Sequence, residues 1–131
     1  MHIYLDTCLV IYLIERDAEF FPRVENAILQ SVEDEICISP LVQLECLIHP
    51  LRRGDQDLER LYRDFFEGVT VLPIPEEVFP AATLLRAHHF LKTPDALHLA
   101  TAIHHGCAEF WTNDGRLGRV AGIMAVNKLV A

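Results

Sequence analysis

Ile3-Tyr4-Leu5-Asp6-Thr7 stands near the start of the chain: three apolar residues, an acid, and then an almost wholly apolar run from Thr7 to Ile14. The first three read as a short buried strand that ends at Asp6, and the run after it as a buried helix. The alternation repeats outward from there. Phe20 to Val32 places Phe21, Val24, Ala27, Ile28 and Val32 on one helical face. Ile36-Cys37-Ile38 is a second strand, and Ser39-Pro40 supplies an N-cap and a proline at the first helical position of a helix that runs to about Arg53, before Gly54. Asp55 to Phe66 is amphipathic and stops at Gly68. Val69 to Leu72 is a third strand, closed by Pro73 and Pro75, and Pro75-Glu76-Glu77 opens a helix to about Phe90. Thr93-Pro94-Asp95 repeats the cap-and-proline signal for a helix to His105, with Gly106 at its end. Phe110-Trp111-Thr112 is a fourth strand and Ile123 to Val126 a fifth.

Strands alternating with helices imply an α/β fold in three layers, α/β/α, around a mainly parallel sheet of about five strands. The chain has 131 residues, with no linker-like segment and no internal repeat, and reads as a single domain over residues 1–131. A hydrophobic content of 51% against 23% charged residues excludes intrinsic disorder. The formal charge of −8, with Lys92 and Lys128 as the only lysines, excludes nucleic-acid binding by bulk positive charge. It leaves room for divalent cations, which can bring the positive charge that the protein lacks. The cysteines Cys8, Cys37, Cys46 and Cys107 form no CxxC pair and lie among apolar residues, which suits buried free thiols in a reducing cytoplasm. The N-terminus has no signal-peptide pattern, and no apolar run reaches the ~20 residues of a membrane span.

In parallel sheets, ligands gather beyond the carboxyl ends of the strands. Asp6 follows the first strand directly, and Asp114 follows the fourth. Asp95 falls in the first turn of its helix, and Glu45 in the second turn of the helix opened by Ser39. Each has an ordinary reading of its own: Asp6 as a helix N-cap, Asp95 as a first-turn acid favoured by the helix dipole, Asp114 as a turn residue beside Gly115, Glu45 as a surface glutamate. Together all four map to one rim of the sheet. Several carboxylates in one place resist ionising together, and a hard cation such as Mg²⁺ or Mn²⁺ removes the conflict. A metal-bound water is a nucleophile near neutral pH, and the same ion clamps a phosphodiester. Whether one ion binds or two is left open by the spacing.

These residues resemble the PIN-domain nucleases, and among them the VapC-type toxins of toxin–antitoxin pairs. Ile3-Tyr4-Leu5-Asp6-Thr7 is similar to the first acidic motif, and Ser39-Pro40-Leu41-Val42-Gln43-Leu44-Glu45 to the second. Thr93-Pro94-Asp95-Ala96-Leu97-His98-Leu99-Ala100-Thr101-Ala102 is similar to the third, and Phe110-Trp111-Thr112-Asn113-Asp114 to the fourth. The resemblance covers the chain from Met1 to Val130. It implies a PIN fold, metal-dependent endonucleolytic cleavage of RNA, a small cognate antitoxin and a homodimer. By residue it implies Asp6, Glu45, Asp95 and Asp114 as catalytic acids, with Asp6, Asp95 and Asp114 holding Mg²⁺ or Mn²⁺ directly or through water. Glu45 helps to hold the metal or orients water, and Thr112 and Asn113 are polar neighbours of the last acid. Cys8 departs from the pattern, standing where many members have Asn or Ser.

Arg116 and Arg119, just after Asp114, and the pair Arg52-Arg53 are candidates for RNA phosphate contacts, or else ordinary solvated charge. His98, three residues after Asp95, falls near the acidic rim; the sequence contains no HExxH or Cys/His spacing that would mark a histidine metal site. Two other readings compete. An aspartyl-phosphate phosphatase would use Asp6 as nucleophile, but normally needs a second acid two residues on, where Cys8 stands, and a lysine at the phosphate. A non-catalytic PIN-fold interaction module would keep the acids without turnover.

Overall fold

The first strand, β1 (His2–Leu5), lies in the middle of a five-stranded sheet. This computed structural model describes residues 1–121 and 125–126, with the backbone alone at 118, 119, 121, 125 and 126. Beside β1 lie β2 (Glu35–Ile38), β3 (Thr70–Val71), β4 (Glu109–Trp111) and β5 (Ala125–Val126), in the order β3-β2-β1-β4-β5, with every neighbouring pair parallel. Tyr4 is in register with Cys37 on one side and Phe110 on the other, and Leu5 with Trp111. The chain winds outward from β1 to β3 and then returns to β4. The strand order therefore reverses between β1 and β4, which is the switch point where open α/β sheets place their ligands.

The connections are helical, as parallel pairing requires. Between β1 and β2 run α1 (Thr7–Ile14) and α2 (Phe21–Leu29), and between β2 and β3 run α3 (Pro40–Arg53) and α4 (Gln56–Glu67). From β3 to β4 run α5 (Val78–His89) and α6 (Thr93–His104), and α7 (Gly115–Ala121) follows β4. α1 packs against α2, α3 and α4, and α5 packs against α6. The helices thus form two groups, consistent with a layer on either face of the sheet. The core is densest around the central strands: Tyr4, Leu5, Phe110 and Trp111 are fully buried. The Tyr4 and Phe110 rings stack across the strand pair with centroids 5.3 Å apart. All four cysteines are free thiols, three of them buried.

Several local expectations change on contact with the tertiary structure. Ser39 occupies the N-cap position of α3 but makes no capping bond, because its hydroxyl is turned to Tyr4 instead. Thr93 is the first residue of α6 rather than its cap, and its hydroxyl accepts from Arg86. Residues 75–77 form a turn, and α5 starts at Val78. Residues 115–121 carry no clear helix signal in the sequence. α7 forms there despite Gly115 and Gly118, with Leu117 buried at its centre and Asp114 accepting the Arg116 and Leu117 amides at its start. Of the expected fifth strand, Ile123 and Met124 lie outside the described residues.

Candidate active site

The carboxyl ends of β1 and β4 deliver Asp6 and Asp114 to either side of the switch point. Asp6 ends β1 and caps α1, its Oδ1 accepting the Thr7 amide at 2.8 Å. Its Oδ2 accepts the Thr112 hydroxyl at 2.7 Å. The same hydroxyl oxygen accepts the Asp114 amide at 3.0 Å, so one buried threonine ties the two acidic loops together. Both the cap and the site readings of Asp6 are therefore satisfied at once.

α3 and α6 bring the other two acids. Glu45 is half-buried, and its Oε1 accepts the Thr7 hydroxyl at 2.7 Å and a hydrogen bond from His98 Nε2 at 2.6 Å. The His98 ring is 2% exposed, and its Nε2 also lies 3.9 Å from Asp6 Oδ1. Asp95, in the first turn of α6, faces the remaining acids through Arg116. The guanidinium binds both Asp114 oxygens, with Nη2 at 2.7 Å from Oδ2 and Nε at 3.1 Å from Oδ1. Nη2 reaches Asp95 Oδ2 at 4.0 Å.

The electrostatics follow from these contacts. Burial, and then the charges of Asp6 and Asp114, push the Asp95 carboxyl above the ordinary range, against the weaker pull of His98 and Arg116. Asp114 moves the other way, because the Arg116 hydrogen bonds hold it below that range. Burial works to raise Glu45, but the bonds from His98 and Thr7 outweigh it and the carboxyl ends below its ordinary value. Cys8, whose Sγ points at Asp6 Oδ2 from 3.9 Å, is pushed up to about 12 by burial and then by the Asp6 charge. It stays a thiol, and so replaces the expected polar side chain with a weak donor.

All four sequence-predicted acids thus reach one rim, together with Thr112 and Arg116. Thr112 is turned inward to position Asp6, Asn113 reaches toward the Tyr12 hydroxyl at 3.4 Å, and Arg116 is engaged with Asp114. Arg52 and Arg53 stand exposed in the last turn of α3, at the far end of that helix from Glu45. The side chain of Arg119 lies outside the described residues. Sequence reasoning placed His98 near the rim without a role. Ser39 reads from the sequence as a helix cap and Tyr4 as a strand residue, and both connect to it. The signal was a histidine set between Leu97 and Leu99 in an otherwise largely apolar helix.

A family model, that of the PIN domain, matches residues 3–123. The chain belongs to the PIN-domain family. No curated protein matches it by sequence. Its fold is similar to that of DNA-bound VapBC from Salmonella typhimurium, with a TM-score of 0.81 at 17% identity over 98% of each chain. A toxin–antitoxin complex from Klebsiella pneumoniae aligns with a TM-score of 0.79 and 23% identity over 96% of this chain and 97% of that one. VapC20 of Mycobacterium tuberculosis, described as a sarcin–ricin loop cleaving toxin, aligns with a TM-score of 0.76 and 18% identity over 92% and 95%.

The donors on this PIN-domain rim suit a hard divalent cation. They are carboxylate oxygens, and Asp95 carries a charge that its surroundings disfavour. A cationic group, the Arg116 guanidinium, already lies between Asp114 and Asp95. The acids do not close on a single point. Among the described residues, the group of three ligand-type side chains whose atoms lie within 4.8 Å of one another is His2, Glu35 and Cys37, at the opposite end of β1 and β2. An ion on the acidic rim would therefore be held partly through water, as Mg²⁺ commonly is.

Proposed function

We propose that this PIN domain is a metal-dependent endoribonuclease and the toxin of a toxin–antitoxin pair. The observation that carries the reading is the gathering of Asp6, Glu45, Asp95 and Asp114 at the switch point, with Asp95 raised by burial and by repulsion from two of the others that Arg116 offsets only in part. In this reading Asp6, Asp95 and Asp114 hold Mg²⁺ or Mn²⁺, directly or through water, and Glu45 orients the attacking water. A bound ion supplies a water of lowered pKa and offsets charge on the phosphodiester oxygens. Thr112 fixes Asp6 in place. Arg116, which here binds Asp114, would contact a phosphate oxygen where Asp114 is given over to an ion, and Asn113 borders the same edge. In-line attack by water leaves 5′-phosphate and 3′-hydroxyl ends.

The likeness to toxin–antitoxin complexes and to a sarcin–ricin loop cleaving toxin supports this assignment. Leu44, Ile48 and Leu51 are exposed at helical spacing on α3, beside Glu45, and offer an apolar stripe to an antitoxin helix. We place the toxin in the cytoplasm as a homodimer. No helix among the described residues is long and apolar enough to cross a membrane.

The test is cleavage of RNA by purified, antitoxin-free chain. Cleavage should require Mg²⁺ or Mn²⁺, stop with chelator and disappear in Asp6→Asn. Release of phosphate from small esters in place of RNA cleavage would favour the phosphatase reading. Inactivity toward both in metal-replete protein would favour a non-catalytic interaction module.

A further inference from the structure

One line of polar side chains crosses the apolar core behind the acidic rim. Ser39 Oγ lies 2.7 Å from the Tyr4 hydroxyl, and that hydroxyl lies 2.7 Å from His98 Nδ1. His98 Nε2 lies 2.6 Å from Glu45 Oε1. Ser39 and Tyr4 are fully buried. The donor directions follow from Glu45 inward. An ionised carboxylate only accepts, so His98 carries its proton on Nε2 and donates it to Glu45. When the ring is neutral, Nδ1 accepts, so the Tyr4 O–H donates to it and the Ser39 O–H donates to Tyr4. Every member is satisfied, and the described residues leave no buried side-chain polar atom without a partner.

A line of this kind is more than a helix–sheet contact needs. Its neighbours on α6, Ala96, Leu99, Ala100 and Ala102, are buried in the apolar core. Leucine at 98 would avoid burying an imidazole and a phenol hydroxyl. What the polar line adds is a fixed N–H aimed at one oxygen of Glu45. Thr7 donates to that same oxygen, with its Oγ1 3.3 Å from His98 Nε2, and neither bond uses Oε2. We propose that His98 is the positioning residue of Glu45, held in its Nε2–H tautomer by the Ser39–Tyr4 relay so that the carboxylate keeps one orientation toward the acidic rim. The inference rests on the endonuclease reading of that rim, and it assigns His98 no contact with substrate or reacting atoms.

The test compares His98→Gln with His98→Asn. Glutamine places an N–H near the position of Nε2, whereas asparagine reaches only to Nδ1. RNA cleavage is measured as kcat and KM, Mn²⁺ affinity by the EPR signal of free ion, and folding by thermal unfolding. Loss of a group that orients a metal-site side chain typically lowers metal affinity or turnover by about 10–100-fold. His98→Asn should show a fall of that order in kcat with KM for RNA little changed, and weaker Mn²⁺ binding. His98→Gln should recover most of both, although the two variants lose similar thermal stability. Tyr4→Phe, which keeps the ring stacked on Phe110 and removes only the hydroxyl, should lower kcat in a folded protein. Equal activity in the Gln and Asn variants overturns the positioning role, whether both are high or both are low. If neither His98 variant folds, an unchanged kcat in Tyr4→Phe overturns it. Wild-type protein that neither binds Mn²⁺ nor cuts RNA overturns the endonuclease reading itself.

Discussion

Asp95 stands half-buried in the first turn of α6, and its carboxyl is raised by burial and by the nearby Asp6 and Asp114. A raised value means that the folded protein binds this proton more tightly than the unfolded chain does. Stability linked to Asp95 is therefore gained as pH falls through that raised value and is withheld at neutral pH, where the carboxylate is charged. Asp95→Asn removes the charge and keeps the shape. At neutral pH and without metal it should unfold a few degrees above the wild type, by differential scanning calorimetry. It should also lose cleavage and lose the stabilisation that Mn²⁺ gives the wild type, since a ligand bound only by the folded state raises stability in proportion to the logarithm of its concentration. An unchanged or lowered melting temperature would mean that the repulsion at this rim is already compensated. At limiting Mn²⁺, wild-type activity should decline on acidification at a higher pH than an ordinary carboxylate would dictate, because the proton competes with the cation for Asp95. Asp114, held low by Arg116, should not set that limb.

α3 and α6 carry the second and third acids, and how each was legible differs with the range of the forces that shape it. Their apolar periods, their prolines at the start and the glycines at or just after their ends are local signals, and the helices lie close to where those signals put them. The acids at the ends of β1 and β4 were legible for the same reason: each follows a short apolar run, and parallel order then places them on one rim. Non-local partners decided the rest. Ser39 has the chemistry of a cap but gives its hydroxyl to Tyr4, 35 residues away, and His98 finds Tyr4 at a separation of 94. α7 has two glycines and little propensity, and its formation follows from the burial of Leu117 and from Asp114 at its start. Gly54 shows where a local rule suffices. It ends α3 with φ at +65°, and a Cβ there would meet nothing within 4 Å. Gly54→Ala should therefore cost about 1 kcal/mol through backbone conformation alone. Urea unfolding should register that loss, and kcat should be unchanged, because Gly54 lies about two and a half turns beyond Glu45 on the same helix. A fall in kcat would mean that the end of α3 is coupled to the site.

At the scale of the whole molecule, a chain of formal charge −8 has to approach a polyanion. A protein that binds RNA through clustered lysine and arginine releases counterions, and its affinity for single strands falls with log salt at a slope of about −0.7 for each phosphate neutralised. Among the described residues, the cations set against the acidic rim are Arg116, bound to Asp114, and Lys92, whose charge also acts on Asp114. If these two supply the phosphate contacts and a divalent ion supplies the remaining attraction, the slope of log(kcat/KM) against log[KCl] should be no steeper than about −1.4. The measurement is made at saturating Mn²⁺, so that KCl acts on the RNA encounter and not on metal occupancy. Arg116→Ala should flatten the slope by about one phosphate contact, roughly 0.7, and should not weaken Mn²⁺ binding, because the guanidinium competes with the ion for Asp114. A wild-type slope of about −4 or steeper would require some six phosphate contacts. It would mean that a basic surface away from this rim carries the RNA, and that the acids meet the scissile phosphate only after binding elsewhere has paid the electrostatic cost.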